Sequence, residues 1–399
     1  MNIKGIDFRI GKVRFIKRII FVVIASLLGF TQPVHAADPL PTTFFNHLGS
    51  KYLTNPGVIL IDSSNESVIY EQSSKSLRPP ASVIKLVSTT AIAMTLDSST
   101  VFKTAIYQGE RPGAFIIVGE NDPWITSSTK SRDRFKRAYL PALLNAALKQ
   151  RNNLRVISVQ YTGVSKSDIN YARKIMRKTS SIKAIPYPGK IDTTTITGEK
   201  IAEITSPKLS TLIRFTNLYS DNNLSQKLAQ VAAIRNGFPG NKSGINIVFQ
   251  NKLAELGVNT DGMYLEDASG LSQQNRISAA TVSQLLLKIR TEPKLNVVYN
   301  SLPVSGISGT LANRYQKSAP DAVGLVKAKT GSIKNTVALA GYATAGPTEY
   351  VFVVIANQTG RTRGSQDAAR GAIDKMLGTI TKPPVIPATA TTDTSTVTN

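Results

Sequence analysis

Strand patterns lie at the two ends of this 399-residue chain, and the segments between them are helical or irregular. Near the start, two apolar runs flank the polar turn 63–66, a pattern typical of a β-hairpin. Three more strand patterns follow late in the chain, at 323–329, 336–344 and 350–356. Since strands need hydrogen-bonded partners, we expect both ends of the chain to join one antiparallel sheet. The prediction is an α/β (α+β) fold, with helices on the faces of that sheet.

The middle of the chain carries helical patterns and one region of different character. Helices are predicted over 82–96, 208–219, 223–236, 247–256 and 368–377. From 101 to 200 the pattern changes to short apolar runs, a basic amphipathic stretch and a Pro/Gly/Thr-rich exit. We interpret 101–200 as a smaller inserted domain that divides the main domain into 37–100 and 201–381. The Pro/Thr/Ala-rich segment 382–399 is predicted to be a disordered tail.

The first 36 residues have the pattern of an export signal. Six Lys and Arg lie between 4 and 18, an apolar run follows at 19–30, and Val34-His35-Ala36 fits a cleavage site. A bilayer span needs about 20 apolar residues, so a cleaved signal peptide over 1–36 is favoured over an uncleaved membrane anchor. The expected location is the periplasm.

The chain is strongly basic, and the basic residues are unevenly distributed. It has 48 Lys and Arg against 25 Asp and Glu. Between 130 and 190 there are 15 Lys and Arg, but only Asp133 and Asp168 as acids. This segment is a candidate anion-binding surface, with a merely solvated basic face as the alternative. Because export argues against nucleic acid as the partner, an anionic cell-envelope polymer is the favoured ligand.

Missing residue types exclude several kinds of catalytic site. The chain has no Cys and only two His, His35 and His47, of which the first would leave with the signal peptide. Thiol catalysis, disulfides and zinc–thiolate sites are therefore excluded, and a Ser-His-Asp triad is almost excluded. No motif indicates a metal or an organic cofactor.

Three short polar motifs suggest a different way to activate a serine. They are Ser82-x-x-Lys85, Ser220-Asp221-Asn222 and Lys329-Thr330-Gly331. Together they match the motif set of the penicillin-recognising serine enzymes. On a helix, residues i and i+3 share a face, so Lys85 can reach the Ser82 hydroxyl. To act as the base, Lys85 needs a pKa below its ordinary value of about 10.4, which burial and a second cation such as Lys329 would provide.

The remaining motif residues have predicted roles around that pair. The backbone N–H groups of Ser82 and Ser332 are the expected oxyanion donors, because Ser82 begins a helix and Ser332 follows the third motif on a strand. Ser220 is expected to relay a proton to the leaving amine, and Asn222 to orient Lys85 and the substrate amide. The expected ligands of the substrate carboxylate are Lys329 and Thr330, and Gly331 lets the substrate backbone lie close to the strand.

Further stretches extend the likeness beyond the three motifs. The chain resembles the D-alanyl-D-alanine carboxypeptidase/endopeptidase family of low-molecular-mass penicillin-binding proteins, in the peptidase group that includes penicillin-binding protein 4. The similar stretches are 78–85, 119–123, 267–272, 302–311 and 329–333. The resemblance implies a transpeptidase/β-lactamase-like domain interrupted by an insertion. It also implies peptidoglycan stem peptides as substrates and β-lactam antibiotics as covalent inhibitors.

One stretch departs from that family pattern, and another agrees with it but has no predicted catalytic role. The insertion in this family tends to present an acid that binds the amino group of a diaminopimelate side chain, and the corresponding stretch 156–163 contains none. Asp267, Ser269 and Gly270 belong to a similar stretch, and we expect them to shape a tight turn rather than to catalyse.

Two other functions remain open at this point. Serine β-lactamases share the three motifs and add a deacylating Glu, for which Glu255, with Asn259 four residues on, is the candidate. Its surroundings predict an ordinary helix that ends at Gly257, which argues against this role. The second alternative is a non-catalytic peptidoglycan-binding envelope protein that acts through its basic insertion.

Overall fold

The computed structural model describes residues 40–177 and 181–383. The predicted signal peptide over 1–36 and most of the predicted tail, 384–399, lie outside the described residues. The strands are β1 Gly57–Asp62, β2 Val68–Gln72, β3 Lys103–Gln108, β4 Ala114–Gly119, β5 Val156–Thr162, β6 Ser181–Pro186, β7 Lys200–Thr205, β8 Val326–Ile333, β9 Thr336–Ala345 and β10 Thr348–Ala356.

The α-helices are α1 Thr42–Leu48, α2 Lys85–Thr95, α3 Thr129–Phe135, α4 Leu140–Lys149, α5 Lys166–Met176, α6 Leu209–Tyr219, α7 Asn222–Arg235, α8 Lys242–Glu255, α9 Ala279–Thr291, α10 Asn296–Tyr299 and α11 Arg363–Gly378. Among the described residues, none of these helices is both long enough and apolar enough to cross a membrane.

The first sheet joins the two ends of the chain, as predicted. Its strand order is β2-β1-β10-β9-β8, and every neighbouring pair is antiparallel. Strands β9 and β10 are apolar and buried along most of their length, which fits a sheet with helices on both faces. The predicted α+β class is confirmed.

A layer of buried helices packs against this sheet. Helix α2 is buried on nearly all sides, since every residue from Lys85 to Ala93 is buried. A helix of this kind is stable only inside a core. It packs mainly against α7 and α8, and side chains such as Leu86, Leu228 and Phe249 form one continuous apolar cluster.

Two predicted boundaries near the motifs were wrong. The helix expected over 82–96 is split into a 3₁₀ turn, Ala81–Ile84, and α2, which begins at Lys85. Pro79 and Pro80 have no N–H groups, and Ala81 has φ +49°, so a regular helix cannot extend back to this point. Lys329, expected at the end of a strand, lies in the middle of β8, because pairing with β9 continues to Ile333.

A second sheet lies within 103–205, where the sequence showed only short apolar runs. Its order is β6-β5-β4-β3-β7, with parallel pairs among β4, β5 and β6 and antiparallel pairs on both sides of β3. Helices α4 and α5 contribute to its separate apolar cluster, which includes Phe115, Leu144 and Ile169. The domain boundaries at 101 and 200 stay a prediction.

Candidate active site

Lys85 is the centre of a hydrogen-bonded cluster that joins two of the three motifs. Its Nζ donates to Ser82 Oγ at 2.9 Å and to Asn222 Oδ1 at 2.7 Å. A third bond goes to the backbone carbonyl of Ser269. Ser82 remains partly exposed whereas Lys85 is fully buried. A buried amine therefore lies directly against an accessible hydroxyl, which is the arrangement needed to activate a serine nucleophile.

A second buried lysine, Lys329 of the third motif, contacts the second motif in a similar way. Lys329 Nζ donates to Ser220 Oγ at 2.9 Å and to the backbone carbonyl of Thr330 at 2.9 Å. Lys329 is also fully buried. Each lysine thus holds one residue of the second motif, Asn222 for Lys85 and Ser220 for Lys329.

Burial changes the acid–base behaviour of both amines. Removal from water disfavours the charged form, so burial lowers the pKa of Lys85 to about 8, although Asp267 and Asp221 act in the opposite direction. Burial also lowers the pKa of Lys329 well below its ordinary value, and the neighbouring charge of Lys85 adds to that shift. Burial thus favours the neutral, basic form of both amines.

The turn that carries Ser82 is held in an unusual backbone conformation. Ala81 has φ +49°, in the left-handed region that costs a non-glycine residue about 1–3 kcal/mol. Two glycines pack directly on this turn. A Cβ on Gly270 would lie 2.0 Å from the Ala81 carbonyl oxygen, and one on Gly331 would lie 2.8 Å from that of Pro80. Neighbouring segments therefore fix the position of Ser82.

Gly331 contacts the protein's own backbone at this point. From sequence, Gly331 is predicted to allow close approach of a substrate, and in the structure its missing side chain leaves room for the turn that carries Ser82. This packing explains why glycine stands here on β8 without any reference to a ligand.

The loop 267–272 is the part of the site whose importance sequence reasoning missed. The Asp267 carboxylate accepts hydrogen bonds from the backbone N–H groups of Ser269, Gly270 and Ser272 at 2.5–2.7 Å, which gives the tight turn that was expected. Burial raises the pKa of Asp267, but these bonds outweigh it and lower the pKa overall. The turn directs the backbone carbonyl of Ser269 to Lys85 Nζ. Because the acceptor is a backbone atom, the side-chain pattern of the sequence does not reveal this contact.

The second motif lies where one helix ends and another begins. Ser220 directly follows α6, with φ +54°. The Asp221 side chain caps α7 by accepting a hydrogen bond from Leu224 N at 2.8 Å. Asn222 then begins α7. This reversal directs Ser220 to Lys329 and Asn222 to Lys85.

The remaining predicted site residues have other side-chain partners. The Thr330 hydroxyl bonds that of Thr310 at 2.8 Å, a contact the sequence analysis did not anticipate although Thr310 lies in the similar stretch 302–311. Ser332 Oγ accepts from Arg370 of α11 at 2.7 Å. The proposed oxyanion role of Ser332 concerns its backbone N–H and stays a prediction.

The candidate deacylating residue of a β-lactamase lies apart from this cluster. Glu255 ends α8, is exposed, and pairs with Lys252 at 2.9 Å. The described residues also include no group of three or more His, Asp or Glu side chains placed to hold a metal ion.

The fold and the cluster define a serine peptidase of the penicillin-binding, β-lactamase-like class. The family described as D-Ala-D-Ala carboxypeptidase 3 (S13) matches residues 155–379. Because this match covers more than half of the chain, the chain belongs to the D-Ala-D-Ala carboxypeptidase 3 (S13) family. It is accordingly an enzyme, a serine-type peptidase among the hydrolases, and the family and fold predicted from sequence are confirmed.

Individual relatives agree with this assignment. Carboxypeptidase DacB of Mycolicibacterium smegmatis is 28% identical over 401 residues, covering 87% of this chain and 87% of that protein. Penicillin-binding protein 4 of Haemophilus influenzae superposes with a TM-score of 0.67 at 17% identity, covering 84% of this chain and 99% of that one. The penicillin G-acylated predatory endopeptidase of Bdellovibrio bacteriovorus has a TM-score of 0.52 at 14% identity, covering 83% and 94%. These two structures show a shared fold.

Proposed function

We propose that the protein is a serine-type D-Ala-D-Ala carboxypeptidase that acts on peptidoglycan stem peptides through an acyl-enzyme on Ser82. The observation that carries the proposal is the 2.9 Å hydrogen bond between Ser82 Oγ and the buried Lys85, whose pKa is lowered to about 8. Family membership supports the substrate class. Cleavage of peptide crosslinks is a second activity that the same chemistry allows.

In the proposed reaction, neutral Lys85 takes the Ser82 proton as Oγ attacks the carbonyl carbon of the terminal D-Ala-D-Ala bond. The backbone N–H groups of Ser82 and Ser332 bind the oxyanion that forms. The C–N bond then breaks as the leaving amine takes the Ser220 hydroxyl proton, which the proton gained by Lys85 replaces, so that D-alanine departs and Lys85 is neutral again. Water attacks the remaining ester, which releases the shortened peptide and restores the Ser82 hydroxyl.

Substrate orientation in this proposal rests on the third motif. Lys329 and Thr330 bind the terminal carboxylate, and Asn222 orients the substrate amide beside Lys85. Hydrogen-bond donors support the carboxylate site, because Thr330 is partly exposed on β8 and its hydroxyl lies 2.8 Å from that of Thr310.

Covalent labelling with a fluorescent penicillin tests the nucleophile. We expect one label per molecule on the peptide that contains Ser82, and none in Ser82→Ala. Ser76→Ala is the matched control, because Ser76 is an exposed serine only six residues away. D-alanine release from a muropeptide should vanish in Ser82→Ala alone. Undiminished labelling or release in that variant would overturn the proposal.

The lifetime of the label separates this function from that of a β-lactamase. Since Glu255 is exposed and paired with Lys252, we expect stoichiometric acylation of a chromogenic cephalosporin and slow release. Sustained turnover of the cephalosporin, lost in Glu255→Gln, would make the protein a β-lactamase. A folded protein that takes no label but still sediments with sacculi would be a non-catalytic binding protein.

We also propose export to the periplasm through cleavage after Ala36, with an uncleaved anchor as the alternative. The supporting observation is the basic, apolar and small-residue order of 1–36. N-terminal sequencing of the protein from a periplasmic extract should begin at Ala37. Retention of the first 36 residues in the membrane fraction would favour the anchor.

A basic surface supports the proposed anionic envelope polymer as a partner. A pocket of about 650 Å³ is lined by Asn170, Arg173, Lys174, Arg177, Ser181 and Ile182. No carboxylate is among these residues, and the three cations are exposed. Such a surface attracts polyanions with an affinity that falls as salt increases.

Co-sedimentation with sacculi that retain their anionic polymers tests this surface. Replacing Arg173, Lys174 and Arg177 by Gln should weaken binding at low salt and flatten its salt dependence. Exchanging Lys51, Lys75 and Arg111 for Gln removes equal charge elsewhere and should have a smaller effect. Equal losses from both variants would reduce the basic region to a solvated face.

A further inference from the structure

One arginine from the region between the first two motifs reaches the second motif. Arg137 follows helix α3 and is 8% exposed. Its Nη2 donates to Asp221 Oδ2 at 2.6 Å. The guanidinium also stacks on Trp124 at 4.7 Å and on Phe215 at 5.5 Å from the ring centroids. The two aromatic rings and the Asp221 carboxylate together hold the guanidinium in a defined position.

The carboxylate that Arg137 binds belongs to the residue between two site residues. One oxygen of Asp221 accepts the α7 cap from Leu224 N at 2.8 Å, and the other accepts from Arg137. Ser220 on one side bonds Lys329, and Asn222 on the other bonds Lys85. A movement of Asp221 would therefore change both lysine contacts at once.

The charge of Asp221 also acts on the proposed base. The charged groups that interact with Lys85 are Asp267 from the loop 267–272, Asp221 at the start of α7, and Lys329 on β8. Asp267 and Asp221 raise the pKa of Lys85, against the larger effect of burial. Arg137 is the cation that pairs with Asp221 among the described residues and partly neutralises it.

We propose that Arg137 is a positioning residue of the peptidase site, which holds Ser220 and Asn222 on their lysines and offsets the charge of Asp221 beside Lys85. The inference rests on the proposed function, because it assigns Lys85 the role of base. It gives the basic region 101–200 a part in catalysis that is separate from polymer binding. Arg137 does not touch the substrate in this view but acts through Asp221.

Removal of the guanidinium has a consequence with a definite sign. An unpaired Asp221 carboxylate favours the charged form of Lys85, so the Lys85 pKa rises and less neutral amine is present at pH 7. A rise of about one pKa unit would reduce the neutral fraction about tenfold at that pH. At a pH well above the raised pKa, the neutral fraction is again complete, so this part of the defect disappears.

The test is the second-order rate constant of acylation by penicillin, measured from pH 6 to pH 10.5 on the full-length protein. For Arg137→Met, we expect a loss of about tenfold at pH 7 and a midpoint about one unit higher than that of the parent protein. Recovery at high pH distinguishes this change from a damaged site. Arg134→Met is the matched control, an exposed arginine three residues away whose loss should leave the midpoint unchanged.

Three further variants keep the inference falsifiable if Arg137→Met is poorly folded. Arg137→Lys keeps the charge and should restore most of the midpoint. Asp221→Asn keeps a helix cap and should move the midpoint to lower pH. The double variant Arg137→Met/Asp221→Asn should return close to the parent midpoint. Fluorescence of Trp124, the single tryptophan of the chain, reports whether the packing under the guanidinium persists.

The outcomes separate this inference from the proposed function. If the parent protein takes no label on Ser82, the proposed function fails and the inference fails with it. If the parent is acylated normally but Arg137→Met has an unchanged midpoint, only the inference is overturned. A uniform loss at every pH, which Asp221→Asn does not correct, would also overturn it and leave Arg137 a structural residue.

Discussion

Two groups of basic side chains in this protein differ in burial and therefore in their acid–base behaviour. Lys85 and Lys329 are fully buried, the first against the Ser82 hydroxyl and the second against that of Ser220, and burial lowers the pKa of both. Arg173, Lys174 and Arg177 line an open pocket on the second sheet region and are exposed. The comparison teaches that burial can make a lysine a proton acceptor, whereas an exposed lysine beside arginines, which stay charged, attracts anions.

The largest expected effect is the loss of the buried base. Lys85→Met should reduce acylation by penicillin about a thousandfold, because the Ser82 hydroxyl loses its proton acceptor. The control Lys75→Met, at an exposed position ten residues earlier, should retain the parent rate. Acylation of Lys85→Met at a rate near that of the parent would show that Lys85 is not the proton acceptor. The buried and exposed cations would then not differ in this role.

The second prediction concerns stability and pH. The pKa of Lys85 is about 8 in the folded protein, against an ordinary value of 10.5, so the unfolded chain binds more protons between these two values. The free energy of unfolding should therefore rise with pH across this window, by about 3 kcal/mol from this residue.

Urea unfolding at pH 7.5 and at pH 10 measures this contribution as a difference between proteins. The rise with pH should be smaller in Lys85→Met than in the parent, since methionine carries no proton to release. An exposed lysine has no such effect, so Lys75→Met should follow the parent. Identical pH dependence in all three proteins would contradict the assigned pKa of Lys85.

A third prediction tests whether backbone packing fixes the nucleophile. Gly270→Ala places a Cβ 2.0 Å from the Ala81 carbonyl oxygen at φ +86°, so we expect a loss of about 2 kcal/mol or more in stability and slower acylation. Gly371→Ala, in α11 with open space around its Cβ, should instead stabilise by about 0.5–1 kcal/mol. Thermal unfolding and labelling rates check both, and similar stabilities would refute the packing argument.

The smallest effect is expected from the exposed cations. Replacing Arg173, Lys174 and Arg177 by Gln should leave the acylation rate of a small penicillin within about twofold at physiological salt, because exposed charges beyond a Debye length are screened. The pH midpoint should not move. A shifted midpoint would mean that the exposed cations and the buried lysines are electrostatically coupled and cannot be treated as independent groups.

Much of the fold could be predicted because its patterns are local. The hairpin and the three late strands follow from alternating or continuous apolar runs, and they appear as β1, β2, β8, β9 and β10. The sheet formed by β3 to β7 could not be predicted, because short apolar runs do not determine the pairing of strands. The helix predicted from residue 82 begins only at Lys85, after the 3₁₀ turn Ala81–Ile84, because only tertiary packing stabilises the strained φ of Ala81.

For the site, the sequence alone identified the candidate groups. Absence of cysteine and near absence of histidine left lysine as the base for a serine, and the i, i+3 spacing of Ser82 and Lys85 placed the two side chains together. Residues i and i+3 share a face in a 3₁₀ turn as they do in an α-helix, so this proximity is local and survives the change from helix to turn at Ser82.

Only the tertiary structure decided how those groups are tuned. The Ser269 carbonyl on Lys85, the Thr310 hydroxyl on Thr330 and the Arg137 guanidinium on Asp221 all join residues far apart in sequence. The lowered pKa of Lys85 and of Lys329 likewise depends on exclusion of water by several segments together. Desolvation and long-range pairing are properties of the assembled core, and no linear pattern in the chain encodes them.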